Sequence, residues 1–117
     1  MSRSMSAHIR TAEFLKALAH PARLQIAEIL REGEACVCHL EAQLGYRQPY
    51  ISQHIMVMRK AGLLAERRDG TYVFHRLADP RVGALLDVLL PTGSEKKRGK
   101  AAPCSCPGCT PVAEAGR

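Results

Sequence analysis

Tryptophan is absent from this 117-residue chain, and phenylalanine and tyrosine number only two and three. So few aromatics exclude an aromatic-lined ligand pocket and point to a small core of Leu, Ile, Val and Ala. Long apolar runs are missing too. The longest, Val82 to Leu90, is interrupted by Asp87 and is far too short for a bilayer span, and no stretch resembles a signal peptide. The expected location is the cytoplasm, where thiols stay reduced. Catalytic arrangements are also lacking: no Ser-His-Asp order, no phosphate-cradling glycine loop and no carboxylate pair in an evident pocket. An enzyme, an organic cofactor and an internal repeat are therefore not expected.

What is present is positive charge, five cysteines and a helical pattern. The formal net charge is +6, which favours a polyanionic partner. Residues 1–90 carry 12 basic and 9 acidic side chains and residues 91–117 carry 5 and 2, so half the excess sits in the last quarter of the chain. Length and an apolar fraction of 46% fit one domain. We place that domain at 1–90. From Pro91 the composition turns to Pro, Gly, Ser, Lys and Ala without periodicity, which predicts a flexible cysteine-containing tail over 91–117.

Within the domain, Ile9, Ala12, Phe14, Leu15 and Leu18 predict a helix from about Ala7 to Leu18. Pro21 suits the first turn of a second helix that runs to about Arg31 and is stopped by Gly33. Val37, Leu40 and Leu44 mark a short third helix ending at Gly45. A tight link then leads to a fourth, from Pro49 to about Ala61, with Ile51, Ile55 and Met58 inward; the pair reads as a helix-turn-helix. Two extended runs follow, Leu64 to Arg68 and Thr71 to Leu77. The Asp69-Gly70 pair between them predicts a type I′ hairpin turn. Asp79 as N-cap and Pro80 at the first position open a last helix. Its apolar set, Val82, Leu85, Leu86, Leu89 and Leu90, exceeds what a monomer needs, so pairing with a second copy is expected. The fold class is thus mainly α with a small β-hairpin, a winged helix-turn-helix forming a homodimer through its first and last helices.

The fourth helix carries donors and acceptors on its N-terminal half: Gln48, Tyr50, Ser52, Gln53 and His54. Side chains of this type read base edges when a helix lies in the major groove of double-stranded operator DNA. Arg59 and Lys60 near its far end, and Arg67 and Arg68 beside the hairpin turn, are expected to touch the DNA backbone or a flanking groove. His54 has the alternative of being a buried structural histidine. The remaining histidines, His8, His20, His39 and His75, read as surface or cap residues, with His39 beside Cys38 the nearest to an exception.

Cysteines in a reducing compartment point to metal binding or redox sensing sooner than to structural disulfides. Cys104, Cys106 and Cys109 form a C-x-C-x-x-C run able to wrap one soft ion, zinc, cadmium, lead or trivalent arsenic. Cys36 and Cys38 are two apart, and on a regular helix such positions are separated by about 200°. They share an ion only if Cys36 lies outside the helix or the helix unwinds there. Either way, ligation there is expected to distort the first helix of the DNA-reading pair, which would make it a physical switch.

Four segments in this order resemble the ArsR/SmtB family of metal(loid)-responsive winged-helix repressors. They are Leu18-Ala19-His20-Pro21-Ala22-Arg23-Leu24, Cys36-Val37-Cys38-His39-Leu40, Ile51-Ser52-Gln53-His54-Ile55 and Arg67-Arg68-Asp69-Gly70-Thr71-Tyr72. The resemblance covers roughly residues 7 to 90. It implies a transcriptional repressor that releases its operator when Cys36 and Cys38 ligate a soft metal or metalloid. Some members carry a third cysteine where this chain has Glu41, so Cys104, Cys106 and Cys109 become the candidate suppliers of further ligands. The family's other metal site needs an Asp-x-His pair on the last helix, and here Asp79 is followed by Pro80 and Arg81. Arg47-Gln48-Pro49 and Arg67-Arg68-Asp69-Gly70 also resemble the sulfide-responsive branch, although that branch uses thiols elsewhere than the Cys-x-Cys of the third helix. The alternatives are therefore a thiol redox or persulfide switch on the same fold, or a metal-buffering protein.

Overall fold

Four of the five helices among the described residues start at a polar cap, a proline or both. The computed structural model describes residues 4–90, and the expected flexible tail, with Cys104, Cys106 and Cys109, lies outside them. Helix α1 (Met5–Leu18) begins two residues earlier than its apolar stripe, because the Ser4 hydroxyl accepts from the Ala7 amide at 3.4 Å. Helix α2 (Pro21–Leu30) is capped by the His20 ring, whose Nδ1 accepts from the Ala22 amide at 3.1 Å. After strand β1 (Ala35–Cys36) come α3 (Val37–Leu44) and α4 (Gln48–Lys60), then strands β2 (Leu64–Asp69) and β3 (Tyr72–Leu77). Helix α5 (Pro80–Leu89) starts as expected, with Pro80 in its first turn and the Asp79 carboxylate accepting from the Arg81 amide at 2.9 Å.

The core gathers around α2 and the helix-turn-helix. Ile26, Leu40, Ile51, Met58, Leu63, Val82 and Leu86 are fully buried. Ile51, Ile55 and Met58 all face inward as their spacing requires. Gly45 ends α3 at a φ of 78°, a left-handed conformation that costs glycine little. The chain thereby turns sharply enough for α4 to cross α3. An ion pair between Arg31 and Asp87 ties α2 to α5. Met5, Ile9 and Leu15 on α1 and Val88 and Leu89 on α5 remain exposed. No helix among the described residues is long and apolar enough to cross a membrane.

Two features of the wing differ from the sequence expectation. Asp69 pairs with Tyr72, so the central turn residues are Gly70 and Thr71 rather than Asp69 and Gly70. Gly70 has a φ of 67° and no other residue type adopts a positive φ among the described residues. A positive φ at the first central residue alone is the requirement of a II′ turn, not of I′. The wing is also a sheet of three strands rather than a two-stranded hairpin, in the order β1-β3-β2 and antiparallel throughout. The extra strand is the two-residue β1, in which Ala35 pairs with His75 and Cys36 with Phe74. So short a strand has no periodicity to detect.

Candidate nucleic-acid interface and cysteine pair

Helix α4 buries Ile51, His54, Ile55 and Met58 on one side. At about 100° per residue, the opposite face carries Pro49, Gln53, Met56 and Lys60. These four are all exposed, with Gln48 and Arg59 exposed and Ser52 half-buried along one flank. Gln53 and Lys60, two of the expected DNA contacts, thus lie on the exposed side of α4. Met56, 54% exposed, was missed because an apolar residue on a helix is read as core. Exposed opposite the buried side, its thioether can meet a thymine methyl group.

His54 is the first correction. It is buried rather than turned to solvent, and its Nδ1 accepts a 3.1 Å hydrogen bond from Arg23 Nε. The same guanidinium donates from Nη1 to the Ala17 carbonyl at 3.2 Å, so Arg23 joins the end of α1 to α4. Around the imidazole lie the His20 ring at 4.4 Å and the Tyr50 ring at 4.6 Å, and Tyr50 in turn meets Tyr46 at 5.0 Å. Since Nδ1 accepts, the proton resides on Nε2, which is buried without a partner among the described residues. This histidine packs α4 against α2, the buried alternative that the sequence left open. Tyr50 packs against both the Tyr46 and His54 rings and is still 39% exposed.

Two expected backbone contacts are engaged within the protein. Arg59 pairs with Glu66 at 2.7 Å. Arg67 grips Glu34 through a fork, Nη2 to Oε1 at 2.8 Å and Nε to Oε2 at 3.0 Å. That hydrogen bonding holds the Glu34 carboxyl below its ordinary pKa. Arg68 is more open than Arg67, with only a 4.0 Å approach to Glu66.

Burial depresses the pKa of His54, with the positive charges of His20 and Arg23 adding to it, and burial likewise depresses His75, which is not the surface residue expected. An unfolded chain binds protons below about 6.5 that these folded imidazoles refuse. Their contribution is therefore complete above that value and lost as pH falls toward their folded pKa. Thermal melts are expected to plateau above about pH 7 and to drop steadily as pH falls below about 6.5; a melting temperature flat from neutrality to pH ~5 contradicts this assignment.

Cys36 is the cap residue of α3, with extended backbone at φ −95° and ψ 170°, and Cys38 is the second residue of the helix. Of the two geometries the sequence left open, this is the one in which Cys36 lies outside the helix. Both sulfurs then converge, with Sγ atoms 2.8 Å apart, and α3 need not unwind to bring them together. His39 accepts at Nε2 from the Gln43 amide at 3.1 Å, and burial lowers its pKa. Among the described residues no three His, Cys, Asp or Glu side chains stand together as a metal cluster.

A helix-turn-helix with an exposed polar face, followed by a basic three-stranded wing, defines a winged-helix DNA-binding protein. The profile of bacterial regulatory proteins of the arsR family matches residues 20–66. A biofilm growth-associated repressor of Agrobacterium fabrum is 46% identical over 78 residues, 67% of this chain and 67% of that protein. The arsenic resistance transcriptional regulator ArsR1 of Pseudomonas putida is 42% identical over 76 residues, 64% of this chain and 59% of that one. Among solved structures, reduced HlyU from Vibrio cholerae aligns with a TM-score of 0.68 at 32% identity, covering 72% of this chain and 88% of its own. The chain belongs to the arsR family of bacterial regulatory proteins, and it is a DNA-binding regulator rather than an enzyme.

Proposed function

We propose that this protein is a homodimeric repressor that releases its operator when the sulfurs of Cys36 and Cys38 change their bonding, in a disulfide or sulfur bridge. The observation that carries the reading is the 2.8 Å approach of those sulfurs at the junction of wing and helix-turn-helix. Two zinc–sulfur bonds of ~2.3 Å at a tetrahedral angle hold their sulfurs about 3.8 Å apart. The observed spacing is closer to bonding between sulfurs than to a shared ion. The likeness to HlyU, whose structure is that of a reduced form, supports the same choice.

Release by a soft ion (arsenite, cadmium, lead or zinc) is the second reading. It is favoured by the position of Cys36 outside the helix and by the likeness to an arsenic resistance regulator. Such an ion would neutralise and draw in thiolates at Cys36 and Cys38. The further ligands would come from Cys104, Cys106 or Cys109 of the same or the second chain.

Dimerisation is supported by the apolar residues left exposed on α1 and α5. Two copies joined there would present their α4 helices about one DNA turn, ~34 Å, apart to a palindromic site. Gln53, Met56, Lys60, Gln48 and Ser52 would face the groove, and Arg68 a phosphate.

The test uses a duplex enriched by the full-length reduced protein from a random-sequence library and followed by fluorescence anisotropy. Polysulfide or peroxide is expected to release it and dithiothreitol to restore it, with mass spectrometry showing lost hydrogens or added sulfur on the Cys36–Cys38 peptide. Release by stoichiometric cadmium or arsenite, with thiolate charge-transfer absorption and no response to oxidant, selects the second reading. A duplex retained under both treatments sinks both.

A further inference from the structure

The fork between Arg67 and Glu34 joins two segments that are distant in sequence and adjacent in the sheet. Glu34 immediately precedes β1, and Arg67 sits on β2, three residues before the turn glycine. Between them runs β3, where Phe74 pairs with Cys36 on one side and with Arg67 on the other. These three side chains therefore share one face of the sheet. The Arg67 guanidinium lies 4.8 Å over the Phe74 ring while its Nε and Nη2 point at the Glu34 carboxylate. Asp69 adds a weaker approach to Nη1 at 3.8 Å. Arg67 remains 46% exposed, so solvent or another anion reaches it.

A carboxylate and a phosphate offer the same pair of oxygens to a guanidinium fork. We propose that Glu34 is an internal stand-in for a DNA phosphate, occupying the wing's Arg67 until operator binding exchanges one for the other. The exchange makes Glu34 a determinant of operator affinity although it touches no DNA. It also places that determinant two residues from Cys36, just before the strand whose sulfur chemistry is proposed to control release. The inference rests on the operator-binding reading above.

The experiment measures the enriched duplex against full-length wild type, Glu34→Gln, Arg67→Gln and the double variant across a series of KCl concentrations. Glu32→Gln serves as a control, since Glu32 is exposed on the same loop and removes the same charge. Glu34→Gln is expected to bind about threefold to tenfold tighter, the scale of a partly exposed charged fork. Glu32→Gln is expected to stay within about twofold, as a distant screened charge does. Arg67→Gln is expected to weaken binding and lower the salt slope by about one unit, the signature of one lost phosphate contact. In the Arg67→Gln background, Glu34→Gln is expected to bring no gain. Glu34→Asp, which keeps the charge on a shorter arm, should fall between wild type and Glu34→Gln, and melting curves verify that each variant folds. The proposal is overturned if Glu34→Gln matches Glu32→Gln, if its gain survives without Arg67, or if Arg67→Gln leaves the slope unchanged. Selective binding by wild type with an indifferent Glu34→Gln overturns this inference alone. No duplex preference in wild type overturns the operator reading with it.

Discussion

Cys36→Ser is expected to leave the reduced protein's grip on its enriched duplex within about threefold and to abolish release, a loss of about 5- to 150-fold in switching range. Serine fits the cap position, where Ser is among the preferred residues, so α3 should begin as before. Cys36 also lies in β1 through its backbone, and the substitution leaves the pairing with Phe74 intact. What disappears is a sulfur 2.8 Å from that of Cys38. Cys38→Ser is expected to behave alike. By linkage, whatever factor the sulfur chemistry takes from DNA affinity, DNA takes from the modification equilibrium, so operator should make the bridge of wild type easier to reduce at equilibrium. A Cys36→Ser protein that still lets go on adding polysulfide, or on adding metal, removes this pair as the sensor.

Ile51→Ala is expected to be the most disruptive single change on the reading helix, at about 2–5 kcal/mol. Ile51 is fully buried in the first turns of α4, in the same core as Leu40 of α3 and Ile26 of α2. Removing it opens a cavity at the joint that fixes the angle between the two helices of the motif. Out of a total stability of ~5–15 kcal/mol, that is a large share, and denaturant midpoints should fall accordingly. Val57→Ala, on the same helix but 40% exposed, should cost under about 0.5 kcal/mol. Equal losses for the two would mean that α4 is not seated as described.

Local patterns carried much of this architecture. Ile51, Ile55 and Met58 recur at helical spacing, Asp79 and Pro80 start a helix in the way their chemistry demands, and Gly45 stops one. Each is a local rule, decided within a few residues. What escaped was decided between segments. The strand at Ala35–Cys36 exists because β3 offers it a free edge, which no local pattern announces. His54 has the polarity of a base reader, and it is Arg23, from α2, that makes burying it tolerable. Arg67 was legible as a basic residue beside a turn, whereas its carboxylate partner is separated by 33 positions in the chain. The hairpin slipped by one position because Gly70 alone takes the positive φ and Asp69 remains paired with Tyr72 in the ladder.

The placement of Cys36 has a consequence for speed. A single peptide bond separates the last residue of the wing's third strand from the first residue of α3. On the proposed function, a covalent event at that sulfur would act on both halves of the DNA grip at once, without a relay of shifting side chains across the domain. Release is then expected to keep pace with the chemistry itself, with no lag between modification and departure.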